Sequence, residues 1–183
     1  HCAKFCVLGG ASWVGAAHNP KTNVLYVPSF TIPFGIKLKK GTTGVYDYTG
    51  TWAGVGGPDG LPLFKPPFSK ITAIDMNTGK HLWAIPAGRG PVDHPALKGL
   101  KLDRLGVPRQ SHIALTENVL FVAPEGTNSV IGLSARGNAL ITQATKEEAE
   151  PFLDAHAAIG GALLGEVRLP GGVFGNLMTY SAG

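Results

Sequence analysis

Cysteine is almost missing: the 183 residues hold only Cys2 and Cys6, so no disulfide framework staples this chain. Their spacing permits a local bridge without demanding one, and two thiols do not fix a compartment. Charge is also sparse, at 15% of residues, and the net charge of +4 comes from scattered basic positions. The one compact basic run, Lys37, Lys39 and Lys40, has no aromatic residues interleaved in a stacking pattern. It reads as a solvated loop, and no nucleic-acid partner is expected. No run approaches the ~20 apolar residues of a bilayer-crossing helix, and no basic segment leading into an apolar one opens the sequence.

Familiar catalytic signatures are lacking too. There is no glycine-rich dinucleotide fingerprint after a strand and no phosphate-cradling loop, and Ser12, Ser29, Ser69 and Ser111 lack the context of a nucleophile elbow. Nicotinamide, flavin and nucleoside-triphosphate chemistry are thereby unsupported. His1, His18, His81, His94, His112 and His156 show no metal-ligand spacing and are expected on the surface or in turns. Asp75 belongs to a turn, where its carboxylate is expected to accept from backbone amides. Asp103 beside Arg104 reads as a solvated pair, and His94 beside Asp93 as an ion pair or a local turn bond.

What the chain does have is 26 glycines, 14 prolines and 44% hydrophobic residues. Apolar runs of strand length, at 24–28 (VLYVP), 119–123 (VLFVA) and 139–142, are cut by turn signals, which favours short strands over long helices. Residues 71–83, ITAIDMNTGKHLW, read as a hairpin: Ile71 and Ala73 alternate with polar neighbours, Asp75 to Gly79 supply a turn, and Trp83 anchors the returning strand. Residues 37–67 are glycine-rich and read as a long surface connection.

One segment supports two readings. Thr145 and Glu148 have the spacing of a capping box ahead of Ala149, Phe152, Leu153, Ala157 and Ile159, which predicts a helix of about four turns over 145–159, closed by Gly160 and Gly161. Alternatively, residues 152–164 are a degenerate copy of 71–83. That alignment places Gly79 on Gly160 and Trp83 on Leu164, a shift of 81 residues, about two propeller-blade periods of ~40–45 each.

The stretch AIDMNTGKHLW resembles the tryptophan-docking repeat of quinoprotein dehydrogenases, which use pyrroloquinoline quinone (PQQ) and form an eight-bladed β-propeller. Three further stretches agree in the same order. Gly9-Gly10-Ala11-Ser12-Trp13 leads through Asn19-Pro20-Lys21-Thr22 to Leu25-Tyr26-Val27-Pro28-Ser29; DHPALKGL follows at 93–100, and GNLMTY at 175–180. Together they span nearly the whole chain and resemble the glucose, quinate and shikimate branch.

That resemblance implies an all-β fold. Residues 1–183 would be a single partial β-propeller domain, a fragment of a larger eight-bladed ring, with one short helix near 145–159. It implies PQQ at the propeller axis beside Ca²⁺, with an Asp as the base. The calcium ligands and the base belong to motifs upstream of this region, so no catalytic residue or metal ligand is assigned here. Ser12 and Trp13 are the implied cofactor-binding residues; Ser12 stands where the family commonly has Asn, and a hydroxyl has a shorter reach than an amide. Residues 109–112 stand where relatives are glycine-rich, an altered cofactor-facing loop. Trp83 is read as structural, wedged between neighbouring blades.

The implied reaction is oxidation of an alcohol, sugar or cyclic polyol with hydride transfer to the quinone. The implied setting is periplasmic. The remainder of the propeller would be the macromolecular partner, and any membrane association would come from regions outside this stretch. The alternative is a non-catalytic propeller-type binding or assembly module that has lost the cofactor.

Overall fold

Strand periodicity dominates the described chain. The computed structural model describes residues 3–11, 14–41, 44, 46–125, 152–169 and 177. Ten strands run in the order β1 (Ala3–Gly10), β2 (Ala17–Asn19), β3 (Val24–Lys40), β4 (Tyr48–Gly54), β5 (Ser69–Asp75), β6 (His81–Pro86), β7 (Ser111–Leu115), β8 (Val119–Pro124), β9 (Phe152–Ala157) and β10 (Leu163–Arg168). They form a six-stranded sheet from β1 to β6 and a four-stranded sheet in the order β10-β9-β8-β7. All pairings are antiparallel. The all-β, partial-propeller expectation holds: β2-β3-β5-β6 and β7-β8-β9-β10 are each four-stranded units of the size of a propeller blade.

The strand read at 24–28 does not stop at Pro28. β3 continues through Pro33 to Lys40 and carries partners on both sides. The Thr31 amide donates to Phe68 O at 2.9 Å, so odd-numbered residues of β3 turn their N–H toward β4 and β5, and even-numbered ones toward β1 and β2. Pro28 thus points at the gap between β2 and β1, and Pro33 at the gap between β5 and β4. Neither proline interrupts a ladder bond, which is why both are tolerated. The basic run expected as a solvated loop is therefore strand, and β4 makes a hairpin of what read as a long connection.

The helix expected near 145–159 is corrected. Residues 145–151 lie outside the described residues, and Phe152–Ala157 is strand β9, paired with β8 on one side and β10 on the other. Period-2 alternation with a partner on each edge overrides a local capping signal.

The repeat reading is right in kind and off by one in register. Gly79 N donates to Asp75 O at 2.7 Å and Gly161 N to Ala157 O at 3.1 Å, while Asp75 N reaches Lys80 O and Ala157 N reaches Ala162 O. Gly79 and Gly161 share the left-handed backbone, at φ +70° and +72°, which glycine adopts without strain. Both hairpins bulge at the equivalent leucine, Leu82 in one and Leu164 in the other. The true shift is 82 residues, so Trp83 corresponds to Gly165, and the second unit carries no docking tryptophan at that place. The doublet Gly160-Gly161 hid this, because sequence alone favours its first member.

The core lies between the two sheets. Val24, Tyr26, Ile71, Ala73 and Ala87 of the first pack with Leu120, Val122 and Ala158 of the second, flanked by Trp83, Ile85, Ile113 and Leu115. At one end Asn19 donates to Glu117 O at 3.2 Å, beside an exposed Lys21–Glu117 pair that contributes little in solvent.

Candidate functional site

The two cofactor-facing candidates, Ser12 and Trp13, lie outside the described residues. Their surroundings are set by the β1–β2 connection. β1 ends with Gly10 opposite Phe30, and β2 resumes with Ala17 opposite Tyr26, so residues 11–16 span what residues 27–29 cover on β3. A Cβ built on Gly9 would overlap the Phe30 carbonyl, so glycine is needed for the strands to approach there. Val14 is buried and anchors the returning limb.

The seam between the sheets is built around Trp83. Its ring lies 5.7 Å from that of Tyr26, tilted by 43°, and a Cβ on Gly161 would sit 3.1 Å from the indole. The Tyr26 hydroxyl donates to Ala158 O at 3.1 Å, and burial pushes its pKa up. His156 Nδ1 donates to Gly161 O at 3.0 Å. The turn after β9 is thus held against the first sheet by an indole, a phenol and an imidazole, the inter-blade position expected for Trp83.

Beside this grip lies an ionic cluster that sequence reading missed. Residues 105–107 run antiparallel to 87–89 through three backbone bonds, Leu105 N to Arg89 O, Gly106 N to Gly88 O and Val107 N to Ala87 O, and this aims Arg104 at the second sheet. Its guanidinium grips Asp154 in fork geometry, at 2.7 and 3.1 Å, and also donates to Glu166. Arg104 is 15% exposed and Asp154 fully buried. Burial pulls the guanidinium pKa down, but the hydrogen bonds and charge of Asp154, then Glu166, outweigh it and leave the group firmly charged. The pair expected with Asp103 does not form the cluster, because Asp103 is exposed and neighbours along an extended segment face opposite ways. Arg104 and Glu166 also line an open cavity of about 300 Å³ with Arg89, Val92, Leu102 and Leu163.

The histidines divide. His94 Nδ1 accepts from Ala96 N at 3.2 Å, the local turn bond, while Asp93 pairs with Arg89. His112 and His156 overturn the surface expectation: both are buried, at 0% and 2% exposure. His112 starts β7 at 3.7 Å from Glu125, and the Arg109 side chain, also buried, donates to Glu125 O at 3.5 Å. The segment 109–112 is therefore packed inward rather than open. Asp75 behaves as expected, accepting from Asn77 N and from the Thr78 hydroxyl, which with the other local bonds lowers its pKa.

His156 carries a pH prediction. Burial is the largest influence and lowers its pKa; Arg104 adds to this, while the Gly161 bond and Asp154 oppose it. The folded chain thus keeps His156 neutral while the unfolded chain protonates it near pH 6.5. Stability from this group is complete above that value and falls as pH drops below it, by up to about 1.4 kcal/mol per pH unit. Urea unfolding between pH 7.5 and 5 should show a shallower acid slope in His156→Gln than in the parent; equal slopes would remove His156 from the account.

The described residues do not fit a calcium cage. Among them no three His, Cys, Asp or Glu side chains gather as metal ligands, and the two seam carboxylates, Asp154 and Glu166, are both taken by Arg104. Among the same residues no helix is long and apolar enough to cross a membrane.

Comparison with known proteins converges on one family. The family model of the PQQ glucose/ethanol/alcohol dehydrogenase β-propeller domain matches residues 4–183. A quinate/shikimate dehydrogenase (quinone) of Acinetobacter baylyi is 26% identical over 196 residues, covering 94% of this chain. The chain spans 22% of that relative's length. With that match extending over nearly every residue and two blade-like sheets joined at Trp83, the chain belongs to the β-propeller family of PQQ-type glucose, ethanol and alcohol dehydrogenases.

Proposed function

We propose that this chain contributes blades to a PQQ-dependent dehydrogenase that oxidises an alcohol, sugar or cyclic polyol by hydride transfer to the quinone. The observation that carries this reading is the family match over residues 4–183, on a chain whose repeats dock through Trp83. In this reading the rest of the ring supplies the base and the Ca²⁺ ligands, consistent with a chain spanning 22% of its relative. Ser12 and Trp13 face the quinone from the β1–β2 connection, and the enzyme works in the periplasm. A cyclic hydroxy acid such as quinate or shikimate is the first substrate to try, since the relative is named for both.

The test is PQQ titration followed by quinone absorbance, with and without Ca²⁺, on the chain and on the full-length gene product. Dye reduction by the full-length product with quinate, shikimate, glucose and simple alcohols completes it. Trp13→Ala is expected to weaken PQQ binding on the order of tenfold, as loss of one aromatic contact would. Absence of PQQ binding and of dye reduction by the full-length product would leave a non-catalytic propeller module.

A further inference from the structure

β3 and β4 continue past the body of the first sheet as an arm. Residues 37–40 and 46–50 are all exposed, so neither face of the ribbon packs on the core. A two-stranded ribbon that buries nothing adds little to fold stability, which turns attention to what it presents. Lys40 lies opposite Tyr48, Lys39 opposite Thr49, Leu38 opposite Gly50 and Lys37 opposite Thr51. Tyr46, Tyr48 and Leu38 are 70%, 66% and 45% exposed. Among the described residues none of the three lysines has a carboxylate partner, and Asp47 is the one acid at this end.

We propose that this arm docks peripherally on an anionic lipid surface. Tyrosine and lysine suit a headgroup layer for the same reason: each has an apolar body that sits among the acyl boundary and a polar tip that stays with phosphates and water. Each lysine near an anionic bilayer contributes about 1 kcal/mol of attraction, and Leu38 with the two tyrosines adds apolar contact. Other polyanions suit the arm less well. A single-stranded nucleic acid needs a groove with stacked rings, and this ribbon is two-faced and convex. A stable protein interface needs roughly 800 Å² per partner, more than a narrow ribbon end offers, whereas lipid headgroups arrange around a small tip. The inference stands independently of the redox reading.

Flotation of the chain with mixed phosphatidylcholine/phosphatidylglycerol vesicles, against phosphatidylcholine alone, tests it. Binding to the anionic vesicles that weakens as salt rises is expected. Lys37→Gln/Lys39→Gln/Lys40→Gln should lower partitioning on the order of 100-fold, and Tyr46→Ser/Tyr48→Ser several-fold, with thermal unfolding of both variants matching the parent. No binding to anionic vesicles, or unchanged binding by the triple variant, overturns the proposal. Loss with the lysines but none with the tyrosines, alongside equal binding to heparin, would make the arm a general polyanion patch and overturn the lipid assignment.

Discussion

Arg104→Ala is expected to lower unfolding free energy by about 3–5 kcal/mol, the cost of leaving a buried charge without its partner. Asp154 has no exposed surface, and its two oxygens are both held by the Arg104 fork. Water cannot replace the guanidinium without opening the seam between the sheets. Glu166, at 26% side-chain exposure, can turn to solvent and contributes less. The double change Arg104→Met/Asp154→Leu should recover most of the loss, since no uncompensated charge remains. Urea unfolding of both variants checks this, and a loss below about 1 kcal/mol for Arg104→Ala would place the fork among weak surface pairs.

Trp83→Ala should cost about 3 kcal/mol, the low end of the range for large aromatic residues because the indole is only part-buried. Its contacts come from both sheets, the Tyr26 ring in one and the Gly161 turn in the other. The cavity would open where the two halves meet, and the hydrogen bonds from Tyr26 to Ala158 and from His156 to Gly161 would loosen with it. Trp83→Phe keeps a ring and should lose about half as much. Denaturant unfolding again decides, and an Ala loss below 1 kcal/mol would remove Trp83 from the docking role.

Where sequence reading succeeded, the signal was local and repeated. The turn chemistry of Asp75 to Gly79 and the alternation of Ile71 and Ala73 are written in adjacent residues. Where it failed, the deciding partner was distant. Phe152–Ala157 looks helical until β8 and β10 lie on its two edges, and that misreading turned Asp154 and His156 into surface residues. Arg104 meets its carboxylates 50 and 62 positions away, so its neighbour Asp103 was the only partner visible in the sequence. A signal was nonetheless available: Asp154 and His156 sit two apart, the spacing of one strand face, among alanines and leucines. For the quinone-facing site, Ser12 and Trp13 rest on motif order alone, since they lie outside the described residues.

β3 belongs to the blade and to the arm at once. Its first half pairs with β2 and β5, its second with β1 and β4, and its 17 residues extend roughly 55 Å. Because paired strand runs unbroken from one to the other, the arm is a lever rather than a tether. A surface that captures its tip fixes not only the distance of the propeller from that surface but also the tilt of the blade, and with it the direction in which the mouth of the ring opens.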